Sequence, residues 1–329
     1  MVNSAIPQEV LDRKVKLSPE ERAVIRRGKL KRAVFIISMI IVPLVNFFVF
    51  YVYVNFNAIL QGFIDVDGSF TLDWFKKFFL EWAYMEQYGK SPMWVYTGNT
   101  MMYFLSSIVI MMPLTTIIAY FIYKKIFMYK FFRVMFFMPS ILSSVVLGML
   151  YKWLWSTPVA NHPGPLLQLF QNVFNVPMTT QNLIESKTLG RWIILLYCVW
   201  TGFGTNLILM TGAMARIPED VLEAGQLDGV SSAKEVTSII IPLIWPTLTT
   251  LIVMAFTGLF TASGPLLVLD KNNAGDTMTL SYYIFVGTEK GGSNLNYLSA
   301  VGIFFTIVGM PIILGVKKLM ERYQDAIEY

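Results

Sequence analysis

Histidine and cysteine each occur once in 329 residues, and charged side chains make up only 14% of the chain. A lone cysteine, Cys198, forms no intrachain disulfide and says nothing of redox compartment. Set in an apolar stretch, it reads as a small packed residue. His162, between Asn161 and Pro163, reads as a solvated loop residue. No metal-ligand cluster accompanies it, and no convergence of titratable groups points to an enzyme site. The pattern G-x-x-x-x-G-K-[ST] is missing, so the chain has no phosphate loop of its own. Basic residues do not alternate with aromatics along a groove-like stretch, which sets nucleic acid aside.

What is present is apolar. Hydrophobic residues reach 55% and aromatics 15%, with a mean hydropathy of +0.56, too apolar for a soluble chain of this length. Runs close to the roughly 20 residues that cross a bilayer occur at Ala33–Val54, Asn99–Tyr123, Val134–Tyr151, Trp192–Met214, Ile239–Ala262 and Tyr297–Val316. These predict an all-α integral membrane protein with six transmembrane helices. The first run follows a long charged leader and lacks a small-x-small cleavage site, so it is expected to remain as an anchor.

Charge asymmetry orients the spans. Placing the N-terminus inside puts 18 of the 26 basic residues on inner segments, among them Arg13 to Arg32, Lys124, Lys125, Lys130, Arg133, Arg216, Lys234, Lys317, Lys318 and Arg322. The positive-inside rule then selects N-in and C-in. Residues 1–32 form a cytoplasmic basic leader, and 33–329 a transmembrane domain with a cytoplasmic loop at 215–238. Ser18-Pro19-Glu20-Glu21 has the form of a capping box, opening either an interfacial helix or a plain topogenic leader. Long outer segments, Asn55–Gly98, Trp155–Gly190 and Ser263–Asn296, have the size of binding surfaces.

The six runs contain no Asp, Glu, Lys, Arg or His, which disfavours a proton-coupled carrier. Pro43, Pro113, Pro139, Pro242, Pro246 and Pro311 interrupt five of them. Uncharged polar residues collect at Ser140, Ser143, Ser144, Thr201, Thr205, Asn206, Thr257, Thr261 and Ser263, near Trp200, Phe203 and Phe260. They read either as lining for a polyhydroxylated neutral solute or as interhelical packing glue.

The most informative segment is Pro218–Pro242, PEDVLEAGQLDGVSSAKEVTSIIIP. Pro218 suits the first helical position, Glu219 and Asp220 suit the positive helix end, and Gly229 suits a C-terminal stop, predicting a helix over Pro218–Asp228. Val221, Ala224, Gly225 and Asp228 share one stripe with a small middle, flanked by Glu223. Ser232 and Glu235 read as a second capping box, starting a helix that continues into the fifth span. Without a partner, the first helix would be only an amphipathic juxtamembrane segment.

The spacing of Glu223-Ala224, Gly229, Ile239 and Pro242 closely resembles the coupling motif of ABC importer permeases of the carbohydrate, maltose-type family. Asn99-Thr100, Phe132-Arg133, Met138-Pro139, Trp200, Ile217-Pro218 and Leu227-Asp228-Gly229 extend the resemblance over most of the chain beyond the leader. It departs at Gly225, where alanine is usual, and at Asp270–Asp276, where Thr-x-Gly-Gly-Pro is usual.

The resemblance implies a type I permease subunit and not an enzyme. It would form half of a translocation pathway for a sugar, oligosaccharide or polyol in a bacterial or archaeal cytoplasmic membrane. ATP and Mg would be bound by two partner ATP-binding cassette subunits, contacted through Pro218, Val221, Glu223, Ala224, Gly225, Asp228 and Gly229. A second six-helix permease and an extracytoplasmic solute-binding protein complete the set implied. Candidate solute contacts are Ser140, Ser144, Thr201, Gly202, Asn206 and the Leu259–Ala262 stretch, with Leu259, Phe260 and Ala262. The competing reading is an ion-coupled secondary transporter or channel for a small neutral solute.

Overall fold

The computed structural model describes residues 19–83, 92–157, 162–174, 182–259, 265–272, 276–289, 291 and 294–327. Apart from isolated bridges at Ile64/Phe70 and Ser156/Asn182, the described residues contain no β pairing. The chain divides into two compact units, residues 1–60 and 61–329.

The first unit is helical from Pro19 onward. Helix α1 (Pro19–Asn46) passes through a π-helical segment, Phe47–Tyr53, into α2 (Val54–Gln61). Pro19 is already helical, and Ser18 with the preceding leader and its expected capping box lie outside the described residues. No break separates the basic residues of α1 from its apolar part.

In the second unit, α3 (Asp73–Ala83) is followed by α4 (Pro92–Ser106), a π-helical segment Ser107–Met111 and α5 (Met112–Tyr123), which together make the second span. Pro113 has no N–H for the carbonyl four residues back, and the widened turn just before it absorbs the lost bond.

The third run is not one helix. Helix α6 (Tyr129–Ile141) ends two residues after Pro139, Leu142 and Ser143 are extended, and α7 (Ser144–Leu154) leaves at 105°. The expected span Val134–Tyr151, which Pro139 is expected to interrupt, is therefore a bent pair. Helices α8 (Pro165–Phe174) and α9 (Gly190–Met214) follow, the latter being the fourth span.

Beyond α10 (Glu219–Leu227), α11 (Ser232–Lys234) runs through a π-helical segment, Glu235–Ile240, into α12 (Ile241–Leu243). Ahead of Pro246 the axis bends by 77° into α13 (Trp245–Gly258). Then come α14 (Leu266–Leu269), α15 (Leu280–Glu289) and the long α16 (Asn294–Ile327). Among the described residues, four helical stretches are long and apolar enough to cross a membrane, and the two bent pairs bring the number to six where each pair serves as one span.

Segments read as long outer loops carry helices. Helix α3 inserts Phe78 among Trp82, Phe304 and Phe305, and the Tyr297 hydroxyl donates to Glu81. Helix α8 buries Leu167 in a cluster with Trp155, Ile184 and Tyr197. Local hydropathy misses such helices because they bury only one or two side chains on a single face.

Candidate functional site

The loop after α9 is built as a capped helix. Pro218, extended at ψ 135°, precedes α10, so the helix starts one residue later than the sequence placed it. Glu219 and Asp220 fall in the first turn, where the helix dipole favours them. At the other end Gly229 sits at φ +70°, its N–H reaches the Gln226 carbonyl and that of Val230 the Gly225 carbonyl, each at 3.0 Å. This pair, one six-to-one bond and one five-to-two bond, stops the helix and requires a residue at ease with positive φ.

The stripe read from the sequence is split by tertiary packing. Val221, Ala224 and Asp228 are exposed with Glu223, but Gly225 is buried, because α10 lies on the following helical segment with Leu222 and Gly225 inward. Its small size serves approach within the chain. Leu227, 88% exposed, is the apolar knob the sequence reading missed.

The second capping box does not form. Ser231 is the N-cap residue, Ser232 is already helical, and neither end makes a side-chain cap bond. The Glu235 carboxylate turns inward to Tyr120 and Lys124. Its buried companions are Ile240 and Ile244, at i+5 and i+9, a spacing that the π-helical segment sets and that an α-helical reading of the sequence does not bring onto one face.

A cavity of about 380 Å³ lies between the second, fourth and fifth spans. Thr100, Tyr103, Phe104, Ser107, Thr205 and Asn206 give it hydroxyl, amide and aromatic groups, and Met111, Leu209, Met254 and Leu259 an apolar wall. Of the candidate solute contacts, Gly202, Asn206 and Leu259 line it. Phe260 and Ala262 lie outside the described residues.

Ser140, Ser144 and Thr201 do not line it. Ser140 donates to the Phe137 carbonyl at 2.7 Å and lies against Gly204 of α9; Thr201 donates to Tyr197 O at 2.9 Å; Ser144 begins α7. Trp200 packs on Tyr151 and Tyr197, and Phe203 on Phe136. The aromatic rings in the cavity are instead Tyr103 and Phe104, the latter in a T-shaped pair with Phe256 with ring centres 4.7 Å apart.

Asn99 and Thr100 tie the chain that follows the fifth span to the second. Asn99 Nδ2 donates to the Asp276 and Met278 carbonyls at 2.7 and 3.0 Å, and Thr100 Oγ1 accepts the Leu280 N–H at 3.0 Å. Thr279, held in this way, closes one side of the cavity. Beside the variant segment the Thr277 hydroxyl donates to Asp270 Oδ2 at 2.6 Å, while residues 273–275 lie outside the described residues.

Residues 111–325 match the family model described as the binding-protein-dependent transport system inner membrane component. The chain belongs to this family. It is a membrane-embedded transport permease component, not an enzyme. It is similar to the arabinooligosaccharides transport system permease protein AraP of Bacillus subtilis, 21% identical over 69% of this chain and 71% of that one. It is likewise similar to the multiple sugar-binding transport system permease protein MsmF of Streptococcus mutans, 23% identical over 87% of this chain and 95% of that one. The fold is that of a bacterial ABC transporter involved in the import of the acidic polysaccharide alginate, with a TM-score of 0.75, 18% identity, and coverage of 90% of this chain and 98% of that one.

Proposed function

We propose that this permease forms half of an ATP-driven import pathway for a neutral sugar or oligosaccharide. The observation that carries the reading is that the cavity is walled by α4, α9 and α13, while the capped helix α10 hangs between the latter two. A push on α10 therefore reaches two of the three walls directly. Membership in a binding-protein-dependent family and the sugar-transporting relatives support the substrate class.

In this reading the chain sits N-in and C-in in a bacterial or archaeal cytoplasmic membrane, with surrounding lipid, beside a second, non-identical six-helix permease. Two ATPase subunits carry ATP and Mg and receive α10 through Glu223, Ala224, Leu227 and Asp228. An extracytoplasmic binding protein delivers solute to the outer face. Phe104 offers a flat apolar surface to a pyranose face, and Ser107, Thr205 and Asn206 offer groups for its hydroxyls.

The test is reconstitution of the permease pair, ATPase and binding protein in liposomes with labelled arabinooligosaccharides, maltodextrins and lactose. Uptake that needs internal or external ATP on the ATPase side and survives an ionophore is expected. Uptake abolished by the ionophore and indifferent to ATP would return the chain to the ion-coupled reading.

A further inference from the structure

The second half of the loop joins the bundle through a buried acid. Glu235, 7% exposed, opens the π-helical segment Glu235–Ile240. Its Oε2 accepts the Tyr120 hydroxyl at 3.1 Å, and its Oε1 pairs with Lys124 Nζ at 2.5 Å. Tyr120 occupies the last turn of α5 and Lys124 caps that helix, with its ammonium 5.8 Å from the Tyr120 ring centre. One carboxylate thus holds the end of the second span by two side chains.

Around it lies one continuous apolar cluster. Ala119 and Ile122 of α5, Met210 and Met214 of α9, Leu222 of α10, and Ile240 and Ile244 meet there. Apolar packing of this kind has no preferred direction and tolerates sliding. The Tyr120 hydrogen bond fixes a direction at the carboxylate, and the Lys124 ion pair, which is close but not aligned as a hydrogen bond, fixes a distance. Pulling the partners apart would strand a carboxylate among isoleucines and methionines, where removal of a countercharge is strongly unfavourable.

We propose that Tyr120, Glu235 and Lys124 form a strut that holds the loop and the end of the second span at fixed separation throughout the transport cycle. Displacement of α10 then moves the third cavity wall, α4 and α5, together with α9 and α13. Glu235 is a positioning residue, acting through the helix it grips. The inference rests on the reading of α10 as the contact with the ATPase.

The test uses a Cys198→Ser background carrying Lys124→Cys and Glu235→Cys, assembled with its ATPase, second permease and binding protein in liposomes. The readout is labelled oligosaccharide imported per ATP hydrolysed, using whichever of the arabinooligosaccharides, maltodextrins and lactose the unaltered complex imports. Loss of the strut is expected to lower that ratio about tenfold. A short bis-methanethiosulfonate linker between the two cysteines is expected to restore it to within about twofold, and reductant to reverse the rescue.

A normal ratio without the linker overturns the strut, and so does a linked complex that stays uncoupled or stops importing. Should the double variant fail to assemble, Glu235→Gln keeps the volume and the tyrosine partner but removes the charge. An assembled Glu235→Gln complex is expected to lose about threefold in the ratio; an unchanged ratio overturns the proposal. If the unaltered complex shows no ATP-driven uptake, it is the reading of α10 that fails; if it couples normally and the variants do too, only the strut fails.

Discussion

Ile239 Cδ1 lies over Gly225, 2.9 Å from where a β-carbon on that glycine would sit. The methyl group at the far end of a flexible side chain can shift by a few tenths of an ångström, so this position is tight for alanine and closed to anything larger. Gly225→Ala is expected to leave uptake within about twofold, since roughly 1 kcal/mol of helix propensity offsets the contact. Gly225→Leu is expected to lift α10 from the following segment and lower uptake severely. Transport assays and thermal unfolding in detergent, run side by side on the two variants, check this; equal loss for both would contradict it.

Gly229 is a different case, because its φ of +70° constrains the backbone itself. Gly229→Ala is expected to cost about 1 kcal/mol through the left-handed conformation, and Gly229→Trp to abolish ATP-driven uptake while the permease stays folded in the membrane. Glu223→Ala should do the same to uptake by removing the exposed charge beside Ala224. Normal uptake by a correctly assembled Gly229→Trp complex would sink the coupling role of this loop.

Gly204 of α9 faces Ser140 of α6 at a separation that leaves no room for a β-carbon. Gly204→Val is expected to drive the two helices apart and lower the unfolding temperature by several degrees, with a loss of roughly 1–3 kcal/mol. Ser140→Ala, in contrast, should leave the KM for sugar unchanged, because the hydroxyl is spent on the Phe137 carbonyl. A KM shift for Ser140→Ala would return that residue to the solute path.

Thr205 lines the 380 Å³ cavity without a bond to its own helix among those described, and Asn206 uses its amide N–H on the Gly202 carbonyl at 3.0 Å, leaving its oxygen as the acceptor for a solute. Asn206→Leu is expected to raise the KM about tenfold, the loss of one buried hydrogen bond. Thr205→Trp should fill the cavity and stop uptake while the complex still assembles. Wild-type KM values for both would move the solute path elsewhere.

The sequence by itself determined that this is a helical membrane protein, because burial in lipid demands long apolar runs whatever their partners. It also determined the loop helix, since caps, dipole charges and a left-handed glycine act within a few residues of one another; α10 differs from expectation by one residue at each end. The sugar-permease resemblance was legible for the same reason, being carried by short spacings around Glu223, Gly229 and Pro242.

Which polar residues face the cavity was decided only by the tertiary structure. Ser140, Thr201 and Asn206 all satisfy themselves on carbonyls three or four residues back, so a hydroxyl or amide in a span looks alike whether its face is packed or open. Thr205 and Asn206 line the cavity as expected, Phe104 joins them, Thr201 lies off it, and the 105° bend after α6 starts the helix that carries Ser144 away from it. Glu235 shows the limit most plainly. Its neighbours in sequence read as a helix cap, whereas its partners, Tyr120 and Lys124, come from more than a hundred residues away and are brought to it by the packing of apolar surfaces around them.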